Sequence, residues 1–493
     1  MSQTAAIRLV KSLSGPEKRS FKLYARRVSG SRDYLDLFNI IDACDDPRTT
    51  IISEAFAKKH APSSLNSAAR YLVKVLTDCL IQQKTEKDPV FQLLQGVMRV
   101  RVLQERSLAE EGYRELKKVR SKAHGLQQHF IEYITYRSEL NLLSDANFPG
   151  IDDRQLVEAQ MKAKSLLRNM NHIQDHHSLF ELLKYRLVHA GRISSEEDKK
   201  KLNDLMLSEM GLVSGKSDNS FAAQKLHLLF QSFFFTDIGD YRSAHKTFAS
   251  LSRLFEQHME LLDNPPLDYL STLNGILDSL HMLEHYEQLD LYIDKLMQID
   301  KPDYPEYFRY QVRKTAVVYR LVLLLSRKAC KEALAYIKTL EDDLLPAYHM
   351  VNEEKQWELY FYSSLSYFGL KDWKKAHQLT GEVMRKHHSH AQWLVCKATR
   401  LLNIIIYYEK GDTDYLEYEI RSYKRSFGRQ QLLKSELLLF RFFKLCPDGR
   451  RRKLPEVQYK KILQELESIQ HDRYERQLLK YFDLAGWIRA RVG

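Results

Sequence analysis

Three stretches hold residue types whose spacing could do chemistry. His281-Met282-Leu283-Glu284-His285 sets two imidazoles four residues apart with a carboxylate between them. On one helix face such a pair can share a divalent metal while the carboxylate acts as base. The same residues also fall at the end of a helical pattern, where a recurring turn already accounts for their spacing. His172, Asp175, His176 and His177 form a second group, and His387, His388 and His390 a third. Both sit in polar sequence that reads as solvated helix ends beside turns. Gly215-Lys216-Ser217 lacks the upstream glycine of a phosphate loop, because position 210 is Met, and no strand pattern precedes it. No Gly-x-Ser-x-Gly and no glycine-rich nucleotide loop occurs. The expectation is a protein that is not an enzyme and uses no metal and no cofactor.

The elements that would position any site repeat. An aromatic residue is followed by a small or apolar residue three later, then by apolar residues four and seven beyond that. One set is Tyr241, Ala244, Phe248 and Leu251, entered through Gly239-Asp240. The next are Tyr286, Leu289, Ile293 and Leu296, then Cys330, Ala333, Ile337 and Leu340, then Trp373, Ala376, Thr380 and Val383. A weaker fifth is Thr413, Leu416, Ile420 and Tyr423, entered through Gly411-Asp412. The third members lie 45, 44, 43 and 40 residues apart. Offsets of three, four and seven share one helix face. The first four sets each follow another apolar helix centre: Leu228 to Phe235, Leu273 to Leu280, Val317 to Leu324 and Tyr360 to Tyr367. A pair of this kind cannot bury its own apolar face, so pairs stack.

Over roughly residues 221–430 this pattern resembles the tetratricopeptide repeat, with its aromatic turn followed by Ala. The period is longer than that family's ~34 residues and overlaps the ~40–47 of HEAT-like repeats. The small residue expected on the first helix is Ser232 and Ser364 in two copies, but Leu277 and Leu321 in others. The layout is also similar to bacterial helical-repeat proteins without an assigned activity, which implies no specific one. The resemblance implies an all-α, right-handed solenoid of stacked antiparallel hairpins, with an N-terminal helical cap domain. In such proteins the first helices line a concave groove. Carried over by position, the groove residues here are Phe233, Thr236, Asp278, His281, Val322, Phe361 and Phe368. Asp278, polar on a mostly apolar helix, is expected to be exposed.

Composition agrees with helices. Gly (18) and Pro (12) are scarce among 493 residues, and the one Asn-Gly, at 274–275, lies inside a helical pattern. The net charge of +12 is unevenly spread. Residues 1–130 hold 23 Lys/Arg against 14 Asp/Glu and residues 421–493 hold 18 against 8, while the middle has 35 against 42. Basic ends flanking an acidic middle suit solvated faces with a sign bias, or contact with nucleic acid. Arg450, Arg451, Arg452 and Lys453 are the densest anion-contact candidates. Near the other end, Phe56 to His60, a short turn and Ser64 to Leu72 resemble a helix-turn-helix, which would present Asn66, Ser67 and Arg70 to a groove.

Five scattered cysteines with no C-x-x-C argue for a reducing compartment. No apolar run approaches a membrane span, and a cytoplasmic location is expected. Four regions follow: a basic helical domain at 1–85, weakly repeated hairpins at 86–213, the tetratricopeptide-like repeats at 220–430, and a basic helical cap at 431–493. Ser214 to Asn219 is the linker candidate. One final helix is expected from Tyr474 to Val492. The expected partner is a protein or peptide held in the groove of a scaffold. The alternative is a regulator that meets nucleic acid through its basic ends.

Overall fold

The computed structural model describes residues 2–27, 32–44, 48–189, 196–215, 220–340, 353–385, 394–427, 432–446 and 456–492. Among these the chain is all-α, with no strand.

The first five helices, Ser2–Lys11, Gly15–Ala25, Asp33–Ala43, Thr49–Ala57 and Leu65–Lys87, close around their own core of Phe21, Phe38, Phe56 and Leu72. The second starts on a capping box. The Ser14 hydroxyl accepts the Glu17 N–H, and the Glu17 carboxylate accepts the Ser14 N–H at 2.7 Å.

From Pro89 to Phe427 most helices pack on a neighbour in sequence, with Asp153–His189 also packing on Phe221–Asp237. Pro89–Glu105, Ala109–Gly125, His129–Asp145 and the 37-residue Asp153–His189 come first. Where the sequence pattern continues hairpins to residue 213, the structure has one long helix followed by Glu196–Lys200 and Asn203–Gly215. Neither Gly nor Pro interrupts residues 151–190, so the polar stretch around His172 has nothing to end a helix. Then come the pairs Phe221–Asp237 with Tyr241–Gln257, Leu267–Met282 with Leu289–Gln298, Glu306–Ser326 with Cys330–Lys338, Glu353–Gly369 with Trp373–Arg385, and Leu394–Lys410 with Thr413–Phe427. Lys434–Leu445, Glu456–His471, Arg473–Leu479 and Leu484–Val492 complete the chain.

One device turns the chain between helices. Ser107, Gln127, Gly239, Glu284, Lys328, Lys371 and Gly411 all have φ between 49° and 76°. In each case the next amide reaches back five residues: Leu108 to Leu103, Gln128 to Ala123, Asp240 to Phe235, His285 to Leu280, Ala329 to Leu324, Asp372 to Tyr367 and Asp412 to Tyr407, at 2.8–3.1 Å. This is the Schellman end, which satisfies carbonyls left over by the closing helix. Of the two turn glycines Gly239 is the more constrained, since the Arg473 carbonyl would lie 3.0 Å from any Cβ there.

The spaced residues face inward. Ala244, Leu251, Leu289, Leu296, Ala333, Ala376, Thr380 and Tyr423 are fully buried, whereas Thr413 is exposed. Ser232 and Ser364 are fully buried, Ser232 bonding the Thr247 hydroxyl and Ser364 the Ala376 carbonyl across the hairpin. A single apolar cluster runs from Phe180 to Ile488.

Candidate functional site

The face of the first helices is crossed by the end of the chain. The apolar period from Tyr474 to Val492 suits one helix, yet the structure breaks it at Lys480–Asp483. Asp483 caps the next helix, its carboxylate accepting the Gly486 N–H at 2.8 Å and its carbonyl the Trp487 N–H at 3.0 Å. The break lets Lys480 Nζ reach the Asp278 carboxylate at 2.7 Å. The Tyr481 ring lies 5.5 Å from Phe361 and its hydroxyl donates to Glu358 at 3.3 Å. Phe482 stands edge-on to Phe368 at 5.8 Å. Arg476 donates to the Met282 carbonyl at 2.6 Å, and Gln477 to the Asp237 carbonyl at 3.3 Å.

This contact sets the local electrostatics. Burial pushes the Asp278 carboxyl upward, but the Lys480 ammonium outweighs it and the net shift is downward. Burial alone would lower Lys480; Asp278 and Glu358 raise it instead. For His281, burial and then the Lys480 charge outweigh the upward pull of the nearby Asp278 charge. They lower its pKa to about 4, so it is neutral near pH 7. Its ring sits between Tyr286 and Tyr362, at 6.1 and 6.5 Å.

The groove residues therefore divide into three sets. Asp278 and Phe361 are covered by the C-terminal segment, so Asp278 is not the exposed residue expected from its polarity. Phe233 packs edge-on against Phe180 at 5.6 Å, and the Thr236 hydroxyl turns back to the Ser232 carbonyl. His281, Val322 and Phe368, though largely buried, reach a shared opening. They form part of a cleft of about 1040 Å³ between the ends of three first helices and the C-terminal segment.

The chemistry-bearing motifs dissolve in three dimensions. The helix carrying His281 stops at Met282, Glu284 takes the left-handed turn position, and Glu284 and His285 are exposed while His281 is buried. The two imidazoles do not share a helix face. His172 and His176 are not at a solvated helix end but buried mid-helix, edge-on at 4.9 Å. Among the described residues no group of three or more His, Cys, Asp or Glu is placed to hold a metal. His387, His388, His390 and Arg450, Arg451, Arg452 and Lys453 lie outside the described residues, as does most of the linker candidate.

Part of the C-terminal charge is used inside the molecule. Lys480 pairs with Asp278, and Arg491 and the Trp487 indole both meet Glu409. Two ion pairs thus join the basic end to the acidic middle. At the other end, Asn66, Ser67 and Arg70 are exposed, with Asn66 also accepting from Gln3 at 3.0 Å.

Sequence reasoning missed Arg476, Lys480, Tyr481 and Phe482. The available signal was the opposite charge of two distant stretches. Among the described residues, no helix is long and apolar enough to cross a membrane. Neither a protein-family model nor a curated protein sequence matches this chain.

Proposed function

We propose that the chain is a non-catalytic scaffold: a right-handed solenoid of tetratricopeptide-like hairpins, capped by its N-terminal helical region, that binds a protein or peptide segment. The carrying observation is the cleft of about 1040 Å³ where His281, Val322 and Phe368 converge. Its volume sits at or above the ~300–1,000 Å³ of small-molecule sites, which suits several residues of a chain. The recurring turn and the inward Ala positions support the repeat reading. The C-terminal segment is a fixed wall of the site, because displacing it would expose Tyr474, Leu478, Tyr481, Trp487 and Ile488 at roughly 1.5–3 kcal/mol each.

Ser326 is exposed on the cleft rim, so Ser326→Trp obstructs the opening without touching the core. Partners co-purified with the wild type and then isolated should bind this variant at least about tenfold more weakly. Unchanged binding of every such partner would rule out the cleft.

One observation favours a second reading for the N-terminal region. Asn66, Ser67 and Arg70 are exposed on the first turns of Leu65–Lys87, with Lys74 one turn on, as a duplex-reading helix requires. The C-terminal cations lend it less, since Lys480 and Arg491 are already paired. A gel-shift assay on DNA duplexes at two salt concentrations, with Arg70→Glu as control, decides this reading: absence of a shift at low salt eliminates it.

A further inference from the structure

The cleft has a charge pattern that its volume alone does not convey. Its floor is apolar and aromatic, built from Val322, Leu325, Tyr362, Leu365 and Phe368. Three cations stand over it: Lys328 from the turn after Glu306–Ser326, and Arg476 and Arg489 from the C-terminal segment. Lys480 also lines the space, but its charge is committed to Asp278 at 2.7 Å. Arg476 is held by a carbonyl, and Arg489 reaches only the Gln470 amide at 3.4 Å. Among the described residues, none of these three cations is paired with a carboxylate.

Two carboxylates share the lining. Asp483 is occupied in capping the last helix, with its side chain on the Gly486 N–H. Glu284 stands exposed in its turn. Three uncompensated cations thus face one free carboxylate around an apolar floor.

Resting on the cleft reading above, we infer that the occupant is an acidic peptide segment with an apolar or aromatic anchor, its side-chain carboxylates directed to Lys328, Arg476 and Arg489. The anchor suits the floor of Val322 and Phe368, and the flanking carboxylates suit the rim. A phosphodiester chain carries a charge at every residue and would meet Glu284 and Asp483 at close range. A short peptide can place its carboxylates away from them. That difference selects peptide over single-stranded nucleic acid.

The test uses the full chain and three fluorescent probes: a peptide alternating Glu and Asp around Phe and Leu, its Lys and Arg counterpart, and oligothymidylate. Anisotropy is read at low and at physiological salt. The acidic peptide should bind the wild type, and Lys328→Glu with Arg489→Glu should weaken it by about tenfold or more. Both residues are exposed, so the melting temperature should stay unchanged. The basic peptide and oligothymidylate should not bind.

Equal affinity of the acidic peptide for wild type and double variant overturns the inference, as does absence of binding at low salt. Preferred binding of oligothymidylate would do the same by assigning the cations to phosphate. Ser326→Trp separates the two levels. If it blocks the basic peptide, the cleft remains the binding site and only the acidic assignment falls. If it leaves acidic-peptide binding intact, the cleft reading itself falls.

Discussion

The hairpins at 89–145 and those at 221–427 turn the chain in the same way but bury it differently. Ser107 and Gln127 adopt the same left-handed turn as Glu284 and Lys371, with the same returning amide. Yet the earlier hairpins share a small core of Leu93, Val119, Ala123 and Ile131, while the later ones join a single cluster extending to Ile488. Met98 is 62% exposed and Phe130 63%. Turn geometry makes a hairpin, and what lies on its second face decides its stability. In the later region that face meets the next hairpin and then the C-terminal segment. A helix hairpin needs such neighbours, because one pair cannot cover both of its apolar faces.

The sharpest way to break this contrast is to delete one aromatic from each region. Phe361 is fully buried between Tyr362 and Tyr481. Phe361→Ala should cost about 3–5 kcal/mol in denaturant unfolding, from lost transfer energy plus the cavity. Phe130→Ala should change stability by no more than ~0.5 kcal/mol. Comparable losses would mean that the early hairpins rely on buried contacts as much as the late ones.

The second test concerns the polar part of the same interface. Lys480→Met leaves the Asp278 carboxylate in the groove without its cation. The expected loss is about 3 kcal/mol, at the lower end for buried pairs because the carboxylate keeps 23% exposure. Asp278→Leu combined with Lys480→Met should recover most of it. A double variant as unstable as the single would show that the damage lies in packing rather than in an orphaned charge.

His281 adds a pH dependence with a definite sign. Its folded pKa of about 4 lies below the ordinary ~6.5. Between those values the unfolded chain holds a proton that the folded chain does not, so stability falls as pH drops from about 6.5 towards 4, by roughly 3–3.5 kcal/mol at most. Asp278, shifted downward, contributes stability above its unfolded pKa of ~3.9 that is lost only at lower pH, as its folded pKa is passed. His281→Gln should flatten the stability profile between pH 6.5 and 4 and leave the more acidic loss in place. An unaltered slope would assign the titration elsewhere.

The helices and their buried faces could be read from spacing because both are local: Ala244, Leu251, Ala333 and Ala376 are as buried as their register requires. Long-range contacts could not. Nothing near Asp278 announces a lysine 202 residues away, and polarity on an apolar helix is the same signal whether it meets water or an ion pair. The break at Lys480–Asp483 was hidden for the same reason, since the local apolar period continues through it. His172 and His176 looked like a polar helix end, yet a four-residue offset put both on the inward face of an uninterrupted helix.

The turn residue gives the smallest and most local test. Gly239 and Gly411 adopt the left-handed conformation at little steric cost, whereas Lys371 holds φ 63° with a full side chain. That conformation costs an L-residue ~1–2 kcal/mol, partly offset by the greater backbone freedom glycine loses on folding. Lys371→Gly should therefore raise stability by about 0.5–1 kcal/mol. Ser107→Gly should give the same gain in the early hairpins, because its turn closes with the same amide-to-carbonyl bond at 3.0 Å. If the two gains match while Phe361→Ala and Phe130→Ala differ severalfold, the turns are a shared local device and the stacking is where the regions diverge. A gain confined to Lys371 would instead mean that the early turns are held by their surroundings, and the contrast would have to be moved from the cores to the turns.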